Sequence, residues 1–458
     1  MRKETKGIVA FGLSASMVLA LIPHMNTYAD TETLDVVKQS EFADKNLYAR
    51  VKQAGDTNGD GILTREEAEG ITSLNCVECE NIITDYTGLG ILKNLDSVNL
   101  YIGEQATAIG SFVDNLYDKS KITSISVDGQ SIPEEQFNRI GELENLTRLS
   151  AEIDDSSVIC NQNFKFNDKL LDLDLRTWGN FSVSYLKNYK ALKSLSIYAY
   201  GSGLLTDVDQ LYGYDKLERL YLNASKSDNN IKAPDNLKSL EVNMSYDNAI
   251  KVDLSNLDLE YLALTYCRNV DIDRIEQMDK LHSLELANCT INKDSIDFTN
   301  NNSAFNSIVL DNLKLKTVIG LKDKQVSTIR INDTLIEEVP DIPERVNYLN
   351  LSNNNISDIP DWSNESFMTF EIRNNNLTLD KVKGKIPEKY ENDIEWITKN
   401  IYYKNNSYEQ IPSDYIYNDI KNKYEMASGD NPYVYESYRV SADKVTLNSD
   451  FVLSLIHI

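Results

Sequence analysis

The stretch Leu281-His-Ser-Leu-Glu-Leu-Ala-Asn-Cys-Thr-Ile291 decides the fold, and Val346-Asn-Tyr-Leu-Asn-Leu-Ser-Asn-Asn-Asn-Ile356 has the same layout. Each places apolar residues at the first, fourth and sixth positions, and a compact hydrogen-bonding side chain, Cys289 or Asn354, at the ninth. Alternating Leu-x-Leu is a short strand with its apolar side chains on one face and the intervening residues on the other. Outward from these two stretches, the pattern starts at Ile71, Leu95, Ile122, Leu146, Leu170, Leu192, Leu217, Leu237, Leu259, Leu281, Phe305, Val326, Val346 and Phe367. Successive starts are 20 to 27 residues apart, so each unit has room for one strand and one return segment.

That period, with Cys or Asn where a buried side chain must bond turning backbone, resembles the leucine-rich repeat. The resemblance implies an α/β repeat solenoid. This is a leucine-rich repeat horseshoe with a concave parallel β-sheet, an irregular or short-helical convex side and a small α-helical N-terminal cap. Ile336-Glu-Glu-Val-Pro340 and Ile356-Ser-Asp-Ile-Pro360 put proline where a helix needs a backbone donor, so the late convex segments should be extended or tightly turned. The stretch around Gly88, Leu89, Leu92 and Leu95 has room for a helical turn. Residues of about 30 to 440 resemble bacterial surface proteins of the internalin type, and the proline-bearing late repeats resemble the shorter repeats of bacterial effectors.

The 458 residues carry 46 basic and 71 acidic side chains, a formal charge of −25. This argues against nucleic acid, whose phosphates need clustered Lys and Arg. Of three histidines, His24 and His457 lie at the ends, leaving His282 for the body of the chain. One imidazole is too few for His-rich zinc sites and most imidazole chemistry, while paired-carboxylate enzymes stay open. Cys79, Cys267 and Cys289 occupy the Asn/Cys position and Cys76 replaces a core Leu; Cys160 makes the count odd. Cys76-Val-Glu-Cys79 has no second pair to make a metal or redox motif. Cys267 and Cys289 belong to adjacent units about 5 Å apart, where either a bridge or two buried thiols is sterically possible.

Residues 1–29 carry Arg2, Lys3 and Lys6, an apolar run from Gly7 to Ile22, and Thr27-Tyr28-Ala29 before Asp30: the layout of a signal peptide cleaved after Ala29. Export to the cell surface or medium is the expectation. The final Leu453-Ser-Leu-Ile-His-Ile458 resembles a translated sequencing-adapter end, which implies a natural chain continuing beyond about Val452.

Between leader and repeats lies Asp56-Thr-Asn-Gly-Asp-Gly-Ile-Leu-Thr-Arg-Glu-Glu67. It matches the twelve-residue EF-hand loop, with oxygen donors at its first, third and fifth positions, glycine at the sixth and glutamate at the twelfth. Asp56, Asn58, Asp60, the Ile62 carbonyl, Thr64 and Glu67 are the expected Ca²⁺ ligands. Phe42–Ala54 would enter the loop as a helix and Glu66–Ile71 leave it as a short one. The resemblance is to EF-hand/dockerin-like segments that precede leucine-rich repeats in secreted Gram-positive proteins, and it implies a structural ion in the cap. The alternative is an Asp/Asn/Gly turn without metal.

Residues between the strand leucines line the concave face. In the middle repeats these and their close neighbours are Arg176, Tyr198, Arg219, Tyr221, Tyr261 and Tyr266, with Trp178 close by. Tyrosine and arginine often dominate binding energy, so these residues are the expected contacts of a protein or glycoprotein partner. After Leu377 tyrosines crowd in from Tyr390 to Tyr438, as a cap on the open end (379–440) or as a binding surface; 441–452 would begin a further module. The leading expectation is a non-enzymatic exported adhesion or recognition protein. The alternatives are the recognition part of a larger secreted enzyme, or a surface spacer.

Overall fold

The computed structural model describes residues 35–77, 82–103, 108–245 and 250–401, with the backbone of 403–404 and 407–408. The leader, Cys79, the side chains of the tyrosines beyond Tyr390 and the C-terminal tail fall outside what is described. Among these residues fourteen strands stand side by side in sequence order, all parallel, from Ser73–Asn75 to Thr369–Glu371; Phe181–Ser182 pairs at the side of Ser194–Thr206. The register is unbroken at the fourth position of every repeat. Leu74 pairs with Val98, Val98 with Ile125, and so through Leu149, Leu173, Leu195, Leu220, Leu240, Leu262, Leu284, Ile308, Ile329 and Leu349 to Phe370. Every one of these side chains is at most 2% exposed. The fold is a leucine-rich repeat solenoid: one row of apolar side chains per repeat, stacked at the strand spacing, makes a core that runs the length of the array.

Polar anchors hold the turns after the last two strands. Asn354 Nδ2 donates to the carbonyls of Ile331, Leu351 and Ser352, while its Oδ1 accepts from Thr334 N and Oγ1. Asn375 repeats the arrangement on Leu351, Ile372 and Ile356 N. Cys289 fills the same position: its Sγ faces the Leu264 carbonyl at 3.2 Å and accepts from Cys267 N. Cys76, Cys160, Cys267 and Cys289 are free thiols, three of them buried. The residue just before this anchor is left-handed in six consecutive repeats: Tyr266, Asn288, Asn312, Asp333, Asn353 and Asn374. Asn and Asp tolerate that conformation; a tyrosine there is strained.

The convex side is mixed. Short helices cover it early, at Leu89–Ile91, Ala108–Asp114, Glu134–Ile140 and Ser156–Cys160. The proline-bearing segments after Ile336 and Ile356 are extended or turned, as a missing donor dictates.

Both ends of the described array are covered. At the N-terminal end the helix Lys45–Gly55 buries Leu47 and Val51 and packs on the first strand. It begins at Lys45 and not at Phe42, because Asp44 caps it by accepting from Asn46 N. At the other end Trp396, on the helix Ile394–Asn400, stacks on Phe370 with ring centroids 5.2 Å apart and donates to the Phe370 carbonyl. Tyr390 packs on the same ring and donates to the Phe367 carbonyl, so this tyrosine is part of the end cover.

Candidate functional site

Two regions bear on function. The first is the loop between the helices Lys45–Gly55 and Arg65–Glu69. Gly59 and Gly61 are left-handed, which lets the chain turn back on itself. Asp56 Oδ2 accepts from Gly61 N at 3.0 Å, Asn58 Oδ1 from Asp60 N at 2.8 Å and Asp60 Oδ1 from Ile62 N at 2.7 Å. Leu63 is buried against Gly55, where an added Cβ would sit 2.5 Å from its Cδ1. The backbone beside Leu63 is paired by residues preceding the first helix. Val36 bridges Thr64, Val37 N donates to the Leu63 carbonyl, and Arg65 N donates to that of Asp35.

The expected Ca²⁺ ligands are divided in this arrangement. Asp56 Oδ1 is buried without a partner, an orphaned oxygen that fits an oxygen-ligated cation. Glu67, in contrast, is turned onto the helix cap: its Oε2 accepts from Thr64 N and Oγ1, while Thr64 Oγ1 accepts from Glu67 N. That reciprocal bond is a capping box. Among the described residues no three His, Cys, Asp or Glu side chains gather as a metal cluster.

The second region is the solvent face of the sheet between about repeats five and ten. Tyr198 and Tyr200, two residues apart on Ser194–Thr206, share a face. Tyr221 stands across from Ser196 on Arg219–Ser227, and Tyr261 opens Tyr261–Thr265. The rings form a diagonal track, with centroids 5.3 Å apart for Trp178–Tyr200, 5.9 Å for Tyr198–Tyr200 and 4.7 Å for Tyr198–Tyr221. Trp178 is 67% exposed, and its Nε1 donates to Glu152. Beside the track a recess of about 170 Å³ is lined by Gly201, Ala224 and Met244.

Carboxylates line the track. Asp174 and Asp128 take up Arg176, which also donates to Ser150 Oγ at 2.8 Å, so this guanidinium is engaged within the sheet. Tyr261 donates to Glu241 Oε2 at 3.4 Å. Burial, and then Asp174, push the Tyr198 phenol up to about 12; burial, and then Glu241 and Glu285, do the same to Tyr261. The rings therefore stay neutral donors at physiological pH. Burial and the neighbouring Glu285 hold the Glu241 carboxyl above its ordinary range.

Of the six expected contacts, the structure brings Tyr198 and Tyr221 into ring contact and places Tyr261 one repeat beyond Glu241. Arg219 is exposed at the start of its strand. Tyr266 sits at the turn after its strand, partly packed on the core. Tyr200, Glu241 and Glu285 were not among the expected contacts. Glu241 and Glu285 lie between strand apolar residues, the position that singled out Tyr221, so the register already pointed to them. Tyr200 belongs to the outward extension of an unusually long strand.

No family model matches the chain, and no curated protein does. Solved structures of similar fold include an internalin, InlF, from Listeria monocytogenes, at 21% identity over 81% of this chain and 91% of that one, TM-score 0.41. A leucine-rich repeat protein of Leptospira interrogans is similar at 17% identity over 71% and 87%, TM-score 0.44. The Arabidopsis receptor kinase HAESA, in complex with the peptide hormone IDA and the co-receptor SERK1, is similar at 16% over 74% and 72%, TM-score 0.38. The class of the fold rests on the strand register, not on these likenesses.

Proposed function

We propose that the protein is an exported, internalin-like recognition protein whose concave sheet binds a protein or glycoprotein partner, and that it has no catalytic role. The aromatic track from Trp178 through Tyr200 and Tyr198 to Tyr221 carries this reading. Large rings standing on the solvent face of a sheet, in contact with one another, offer contact area with few rotamers to freeze. The signal-like residues 1–29 support export, and among the described residues no helix is long and apolar enough to cross a membrane. His282, the one histidine of the described residues, is exposed with Nδ1 3.2 Å from the Ala304 carbonyl, away from the track.

The loop Asp56–Glu67 would hold a structural Ca²⁺ through Asp56, Asn58, Asp60, the Ile62 carbonyl, Thr64 and Glu67, with Glu67 released from Thr64. The ion would satisfy the orphaned Asp56 Oδ1 and fix the cap.

The test is a screen of the full chain against surface and host glycoproteins, followed by Tyr198→Ala and Tyr221→Ala. Each should weaken the ligand by about 1 to 2 kcal/mol and leave thermal unfolding nearly unchanged. Unchanged affinity in both variants would move the site off this face.

A further inference from the structure

Along the solvent face the positions between the strand apolar residues form a register row: Tyr221, Glu241, Ala263, Glu285 and Val309 on five successive strands. Ala263 stands between the two glutamates and is a buried residue. The two glutamates are thus rooted two strand spacings, about 10 Å, apart, on either side of a residue with a single side-chain carbon. Tyr261 flanks this notch and tethers Glu241 through its phenol, and Tyr221 stands next to Glu241 in the row.

Of the other concave cations, Arg219 at the start of the strand of Tyr221 is exposed, and three more are engaged. Arg148 pairs with Asp172, Arg176 with Asp128 and Asp174, and Arg330 with Asp311. Glu241 and Glu285 have no basic partner among the described residues. Burial, and then the charge of Glu285, raise the proton affinity of Glu241, and no cation offsets them. The spacing suits a planar guanidinium, which can donate to a carboxylate on either side and lay its face on a tyrosine ring.

We propose that the notch formed by Glu241, Ala263 and Glu285, flanked by Tyr261, is the seat of an arginine side chain presented by a protein partner. This rests on the reading of the concave sheet as the binding face and adds the chemistry of the contact. Charge complementarity selects the occupant: a partner segment bearing arginine replaces a repulsion between two carboxylates with two charge-assisted hydrogen bonds.

The probe is acetyl-Gly-Gly-Arg-Gly-Gly-amide, with the citrulline peptide as its neutral isostere, titrated into the full chain carrying ¹³C-methyl alanine. The Ala263 methyl resonance, assigned by its loss in Ala263→Gly, should shift saturably with the arginine peptide and not with the citrulline one. Affinity should fall about tenfold in Glu241→Gln or Glu285→Gln. Equal response to both peptides, or affinity for the arginine peptide unchanged from the parent in both Gln variants, overturns the proposal. With a protein ligand from the screen, Tyr198→Ala weakening binding while both Gln variants leave it unchanged removes the arginine seat and keeps the binding face. Loss in the Gln variants as well supports both.

Discussion

Single residues show where binding and stability pull apart. Tyr266 occupies a left-handed position that Asn or Asp takes in the next five repeats, a conformation costing a bulky side chain of order 1 kcal/mol. Glu241 is the sharper case. Burial and Glu285 raise its carboxyl above the ordinary 4.5. Between the unfolded and folded values the native protein holds a proton that the unfolded chain has released. Stability therefore falls as pH rises through that window and stays reduced above it. Glu241→Gln should accordingly raise the thermal midpoint at pH 7, and the gain over the parent should vanish as pH falls below about 4.5, where both states of the parent are protonated. Thermal melts from pH 4 to 8 check this; a destabilised variant at pH 7 would mean that the charge is compensated in the folded state.

At the scale of the element, the turns after the last two strands are each held by one buried asparagine. Asn354 satisfies three carbonyls and accepts two donors from Thr334. Asn354→Ala leaves these groups buried without partners and should cost on the order of 3 kcal/mol, whereas exposed Asn355→Ala should stay within about 0.5 kcal/mol. Urea unfolding of the two variants separates them; equal midpoints would refute the anchoring role. The strands themselves were legible because a period-two pattern on a fixed repeat leaves one register: all fourteen starts, from Ile71 to Phe367, introduce a strand of the sheet. The proline-bearing convex segments were legible for the same local reason. The state of Arg176 was not, because its partner Asp128 lies 48 residues away and meets it only through stacking. The placement of Glu67 was not legible either. Thr64-Arg-Glu-Glu67 reads equally as the end of a calcium loop and as a capping box, and the structure shows the second arrangement.

At the scale of the whole molecule, a solenoid is held together by neighbour-to-neighbour contacts, so what happens at one end should fade along the array. The N-terminal helix pair is joined to the rest through the first strand and the core residues Ile71 and Leu74, and the loop Asp56–Glu67 lies between its helices. An ion there acts on the cap first. With an affinity of roughly 10⁻⁴ to 10⁻³ M, about 5 mM calcium should add about 1 to 2 kcal/mol to the stability of the unit that unfolds with the cap. Because binding requires Glu67 to leave Thr64, part of the gain is offset by the capping bonds given up. Hydrogen exchange resolves where the gain goes. Calcium should slow exchange in Lys45–Gly55, Ser73–Asn75 and Ser97–Ile102 relative to a chelator control, and leave Tyr348–Asn350 and Thr369–Glu371 unchanged. The protection should disappear in Glu67→Ala. Protection spread evenly over all fourteen strands would mean that the array unfolds as one unit. Protection that survives Glu67→Ala would place the ion away from this loop, among the carboxylates of a chain whose formal charge is −25.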